Sequence, residues 1–141
     1  MTSVDLAVLC RELEEAFGPV AEEKGLKFVV EAPSGLSVHG DRMRLRQALA
    51  NLIENAIRHT AEGKVVLKAE RGVLSVTDTG VGIPPEHCRR IFDRFYRVPG
   101  SPEGGSGLGL AFVQWVAVAH GGHASVESVP GEGSVFQIMF P

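Results

Sequence analysis

The stretch from Asp41 to Thr60 constrains the fold more than any other. At about 100° per residue it places Leu45, Leu49, Leu52, Ile53 and Ala56 on one helical face and Arg44, Gln47, Asn51, Asn55 and Arg58 on the opposite one. Asp41 stands where an N-cap is wanted. A helix with so continuous an apolar stripe has to bury it against another layer. Asn51 and Asn55 lie one turn apart, about 40° in projection, so both amides project into one site. Taken alone, such a pair also describes a solvated helix face.

The flanking segments supply the other layer. Leu6, Leu9, Leu13, Ala16, Phe17 and Val20 repeat with a helical period behind Asp5 as N-cap, and Gly25 ends that helix. Leu26–Glu31 reads as a strand, with a second short strand at Leu36–His39 expected to pair with it across a Pro33-Ser34-Gly35 turn. Lys64–Glu70 and Val73–Asp78 form a hairpin about Arg71-Gly72. The prolines and glycines between Asp93 and Ser106 predict a mobile loop. A helix from Leu108 to His120 follows, closed by Gly121-Gly122, and then a last hairpin of Ala124–Val129 and Ser134–Phe140. The order αββαββαββ predicts an α+β two-layer sandwich, a mixed and mostly antiparallel sheet of about five strands under three helices.

Composition narrows the function classes. A chain of 141 residues with 44% apolar and 22% charged side chains is the size of one domain with one core. A formal charge of -3 gives no electrostatic reason to expect nucleic acid. Cys10 and Cys88 are far apart and form neither a disulfide framework nor a zinc ribbon, which fits a reducing cytoplasm. No apolar run approaches the roughly 20 residues of a membrane span, and the opening MTSVDLAVLCREL lacks the order of a signal peptide. A monomer without membrane contact is expected, any membrane segment lying elsewhere. His39, His87, His120 and His123 have no metal-ligand spacing.

Four motifs then occur in order: Asn51-Leu-Ile-Glu-Asn55-Ala-Ile-Arg58-His59-Thr60, Asp78-Thr-Gly80-Val-Gly82-Ile83-Pro84, Gly105-Ser106-Gly107-Leu108-Gly109-Leu110 and Gly131-Glu-Gly133-Ser134-Val-Phe136. Ile91-Phe92-Asp93-Arg94-Phe95-Tyr96-Arg97 sits between the second and third. An amide oxygen suits Mg²⁺. A carboxylate at the end of a strand, such as Asp78, accepts from an exocyclic amine, and Asp-Thr-Gly equally describes an Asx turn. The glycines before Leu110 open a helix whose free N–H groups and dipole favour phosphate. They do not match a dinucleotide fingerprint, because the position three after Gly107 is Leu110 and no strand precedes them; nor is there a Walker A lysine.

The succession, which covers about Val4 to Phe140, resembles the N, G1, F, G2 and G3 boxes of the catalytic and ATP-binding domain of sensor histidine kinases, in the Bergerat-fold superfamily that includes DNA gyrase, the heat-shock chaperone of about 90 kDa and mismatch-repair ATPases. The resemblance implies Mg²⁺ ligation by Asn55, with Asn51, Arg58 and His59 along the phosphates of ATP. It implies an adenine contact for Asp78, with Gly80, Gly82 and Ile83 beside the base. Gly105, Ser106, Gly107, Leu108, Gly109 and Leu110 would close a lid of about residues 93–106 over the triphosphate, and Arg97, with Arg94 as a further candidate, would steady the γ-phosphate. Phe92 and Phe95 would pack at the lid's root or simply in the core. Ser134 stands where the family often has threonine and would border adenine.

ATP hydrolases of the superfamily carry a glutamate where this chain has Asn51, and an amide is no general base near pH 7. Glu54 lies about 100° round the helix from Asn55. The resemblance therefore implies phosphotransfer, to a histidine on a separate dimerisation domain and then to a response-regulator receiver. No acceptor histidine motif is present, so the chain is expected to be part of a larger kinase or a free-standing half of one. The alternatives are a serine kinase of the anti-sigma-factor type and an ATPase.

Overall fold

The computed structural model describes residues 1–100 and 107–141. Strand β1 (Thr2–Asp5) leads into helix α1 (Leu6–Glu23), then β2 (Lys27–Glu31), β3 (Ser37–Gly40), α2 (Arg42–His59), β4 (Lys64–Glu70), β5 (Val73–Asp78), a single turn α3 (Pro85–Cys88), α4 (Gly109–Ala119), β6 (His123–Val129) and β7 (Gly133–Met139). Both aspartates expected as N-caps are in place: Val8 N–H donates to Asp5 Oδ1 at 3.2 Å and Arg44 N–H to Asp41 Oδ1 at 3.1 Å. Helix α1 ends as Gly25 implied, Gly25 N–H donating to Glu22 O and Leu26 N–H to Ala21 O, the two bonds of a Schellman cap.

The main sheet has five strands in the order β2-β4-β5-β7-β6, parallel between β2 and β4 and antiparallel elsewhere. The expected pairing of the second short strand with β2 does not occur. Strand β3 pairs instead with β1, antiparallel, in a separate two-stranded sheet. Val4 decides this: it is 2% exposed and lies directly opposite Val38, while Leu6 N–H donates to Leu36 O at 3.0 Å. Pairing across the start of α1 buries an apolar side chain that a β2–β3 hairpin would have left in water.

Alternation along the strands gives the sheet two unlike faces. One face carries Lys68, Ser75, Gln137 and Ser125 in register. The other is covered by α1, α2 and α4 and is built in rows across β4, β5, β7 and β6. Ala69, Leu74, Ile138 and Ala124 form one row, and Leu67, Val76, Phe136 and Val126 the next, all apolar. The third row reads Val65, Asp78, Ser134, Ser128. There the covered face changes from apolar to polar, and there the helices leave a cleft.

Candidate functional site

Asp78 is 5% exposed at the end of β5. Gly80 N–H donates to its Oδ1 at 2.9 Å, so the Asx turn forms, and Ser134 N–H is a second donor to the carboxylate. Burial pushes the carboxyl pKa above the usual aspartate range, and the two backbone donors pull it partly back. Such a group gains from any further donor that meets it, which is what the edge of a purine amine offers.

The glycines around Asp78 are fixed by space. A Cβ on Gly80 would stand 2.3 Å from His59 O, one on Gly82 2.3 Å from Val129 O, and one on Gly133 2.1 Å from Asp78 O. Gly133 also has φ +134°, a conformation closed to other residues. Val81 N–H donates to His59 O at 3.3 Å and Gly131 N–H to Val81 O at 2.7 Å. The turn after β5 is thereby clamped between the end of α2 and the β6–β7 hairpin.

Asn55 and His59, both from α2, also line the cleft. Burial is the main cause that lowers the His59 pKa below the ordinary histidine range, helped by the positive charges of Arg58, Lys24 and Arg97, so the ring is neutral near pH 7. Sequence reasoning missed Lys24. Its Nζ donates to Ile57 O at 2.6 Å and Arg58 O at 3.2 Å, satisfying the last carbonyls of α2 with a positive charge.

Other expected site residues lie outside the cleft in this structure. Asn51 is held elsewhere: its Nδ2 donates to Gly109 O at 3.1 Å and its Oδ1 accepts from Gln47 Nε2 at 2.7 Å. It ties α2 to the first turn of α4. Arg58, Arg97, Leu108, Gly109 and Leu110 do not line the cleft, although Arg97 is close enough to act on His59. Helix α4 starts at Gly109 without a side-chain cap. Gly105 and Ser106 lie outside the described residues.

The two arms of the segment expected to form a lid meet at its base. Phe95 N–H donates to Gly107 O at 2.7 Å, and a Cβ on Gly107, at φ +78°, would come within 2.6 Å of Phe95 Cα. The two phenylalanines expected at this root behave differently. Phe92 packs edge-on against Phe136 with ring centroids 6.2 Å apart. Phe95 is 64% exposed with φ +64°, so its backbone, not its ring, builds the junction.

The cleft has a volume of about 420 Å³, within the usual range for a small-molecule site. Ile83, Ile91, Val98, Pro130 and Phe136 give it apolar walls, with Asp78, Ser134, Asn55 and His59 as its polar points. Such a lining suits a flat apolar group that also carries hydrogen-bonding groups. Sequence reasoning also missed Ser128, whose hydroxyl accepts from Ile83 N–H at 2.7 Å and lies 2.8 Å from Ser134 Oγ. Counting the register of the last hairpin would have placed those two serines opposite each other.

The family model described as histidine kinase-, DNA gyrase B-, and HSP90-like ATPase matches residues 40–141. Sensor-like histidine kinase SenX3 of Mycobacterium tuberculosis is 40% identical over 149 residues, spanning 100% of this chain and 36% of that protein. Phosphate regulon sensor protein PhoR of Pseudomonas aeruginosa is 40% identical over 122 residues, spanning 81% and 28%. The chain thus covers about a third of the curated relatives it matches. Among solved structures, full-length ShkA in complex with AMPPNP superposes with a TM-score of 0.84 at 35% identity, covering 96% of this chain and 30% of that one. The mycobacterial sensor histidine kinase MprB also gives 0.84, at 29% identity, covering 99% and 97%.

Proposed function

Because the chain belongs to the histidine kinase-, DNA gyrase B-, and HSP90-like ATPase family, we propose that its cleft binds Mg-ATP and that the bound nucleotide gives its γ-phosphoryl group to a histidine on a separate dimerisation domain. Residues 1–141 are then the ATP-binding half of a two-component sensor kinase, with residues 93–106 as its lid. A response-regulator receiver takes the phosphoryl group in a second step. Among the described residues no helix is long and apolar enough to cross a membrane.

The observation that carries this reading is one cleft lined both by a buried carboxylate, Asp78, and by the Asn55 amide and the His59 ring. Asp78 accepts from the exocyclic amine of adenine, while Ile83, Ile91 and Phe136 cover the ring faces. Asn55 is half-buried and its side chain makes no hydrogen bond among the described residues, which leaves its oxygen for a cation. The fit to Mg²⁺ is good, since that ion takes one or two protein oxygens and draws the rest of its shell from phosphates and water. When bound, Mg²⁺ neutralises charge on the phosphate oxygens.

The chain's own residues then position the triphosphate. Neutral His59 donates a hydrogen bond to a phosphate oxygen; Arg58 and Arg97, with Gly105, Ser106, Gly107, Leu108, Gly109 and Leu110, close on it as the lid moves over the nucleotide. Asn51 supplies no base for water. Its amide is engaged with Gln47 and Gly109, and Glu54 is exposed. The nucleophile therefore comes from the acceptor domain, and the site contributes orientation and charge.

Titration of the chain with ATP, with and without Mg²⁺, followed by a phosphate-release assay, tests the reading. Saturable binding that Mg²⁺ strengthens, with release at background, is expected. Sustained release without a partner would replace phosphotransfer by hydrolysis.

A further inference from the structure

We infer that Ser128 is a positioning residue that sets the base selectivity of the cleft by fixing Ser134 as a hydrogen-bond acceptor. The inference rests on the adenine reading above. Ser128 Oγ has three partners: Ile83 N at 2.7 Å, Gly133 O at 3.0 Å and Ser134 Oγ at 2.8 Å. A hydroxyl has one proton and two lone pairs. Ile83 N–H can only donate and Gly133 O can only accept, so the Ser128 proton goes to Gly133 O. The bond between the two hydroxyls is then supplied by the Ser134 proton.

This assignment has a consequence at the cleft wall. Ser134 is 5% exposed, lines the cleft and faces Asp78 in the strand register. With its proton committed to Ser128, its lone pairs are all it offers to a base. The wall thus presents two acceptors, Asp78 and Ser134, and no hydroxyl donor. Adenine brings an amine with two N–H groups to such a wall; guanine brings a carbonyl oxygen, which two acceptors repel. The Ile83 bond adds a second effect of the same hydroxyl, holding an apolar wall residue at a fixed distance from Ser134.

Nucleotide affinities of the chain and its Ser128→Ala variant should be compared for ATP, GTP and purine riboside triphosphate, which lacks the amine. The expected loss is roughly 5- to 10-fold for ATP, the worth of one net hydrogen bond, with a change below about twofold for purine riboside triphosphate and a narrower gap between ATP and GTP. Ser128→Thr, which keeps the hydroxyl, should restore ATP affinity. Ser134→Ala should lose the same preference, and the double variant should lose no more than either single one. Equal losses for all three nucleotides, or no loss, would overturn the inference, since a merely structural serine weakens the whole site alike. Should Ser128→Ala fail to fold, Ser134→Ala decides alone: retained preference for ATP over purine riboside triphosphate overturns the inference. A wild-type chain with no such preference would instead remove the adenine reading on which it stands.

Discussion

The surroundings of Asp78 and of Asn55 are made of different material. Around Asp78 the backbone is clamped: the turn at Gly80 and Gly82 is hydrogen-bonded to His59 O on one side and to the β6–β7 hairpin on the other, with no space for a single added carbon. Around Asn55 there are side chains and a long connection. Of the groups expected there, Asn55 and His59 stand in the cleft, Asn51 is bonded to Gly109, and Arg58 and Arg97 lie outside the lining. On the proposed reading, the difference means that the base side is formed before a ligand arrives, while the phosphate side is completed by one. A rigid base pocket supplies selectivity at low ordering cost, and an assembling phosphate side couples closure to the presence of the triphosphate.

Small added groups break this contrast most sharply. Gly133→Ala forces a Cβ to 2.1 Å from Asp78 O at φ +134°, and should destabilise the chain by about 3 kcal/mol or more and remove nucleotide binding, as thermal melting and ATP titration would record. Gly100→Ala, on the lid side of the cleft, meets nothing within 4 Å and bears only the cost of φ +80°, about 1 kcal/mol. Comparable losses at both glycines would mean that the base side is no more rigid than the other. Next in size, Asn55→Ala should cut phosphotransfer on the order of 100-fold by misplacing the triphosphate, with ATP binding in the absence of Mg²⁺ little changed. If transfer persisted in full, the metal role of Asn55 would be wrong.

Asp78→Asn sharpens the comparison from the base side. It removes a buried charge from a carboxyl whose pKa is already raised, so the melting temperature should not fall. It also puts an amide where the purine amine needs an acceptor, and should weaken ATP binding by roughly 10- to 100-fold, the range for a hydrogen bond to a charged group. The smallest effect concerns pH. His59 has a depressed pKa in the fold, so the unfolded chain takes up its proton first on acidification. Stability from this group is present above the ordinary histidine pKa of about 6.5 and is lost as pH falls below it. Melting temperatures measured between neutral pH and pH 5 should fall in the native chain and fall less in His59→Gln. The raised pKa of Asp78 has the opposite sign: its contribution is lost as pH rises through the carboxylate range.

Sequence and structure agree where the signal is local. The caps Asp5 and Asp41, the apolar stripe of α2 and the Arg71-Gly72 hairpin are each written within a few residues, and each is found in place. What stayed hidden depends on partners far along the chain. Strand β1 has one buried apolar residue, Val4, and its pairing with β3 is separated by the whole of α1. Ser128 is an ordinary serine in an alternating strand until the register sets it opposite Ser134. Asn51 could be placed on the correct face of α2, but whether its amide meets a ligand or Gly109 is decided by the packing of α4, which periodicity does not encode.

The measurement that tests the account most directly is transfer of label from γ-labelled ATP, with Mg²⁺, to a separate histidine-bearing helical hairpin domain. The account predicts label on that domain that is lost in acid, kept in base and absent with Asn55→Ala. Acid-stable label would point to a serine acceptor, and no label on the partner alongside free phosphate would contradict a phosphoryl donor altogether.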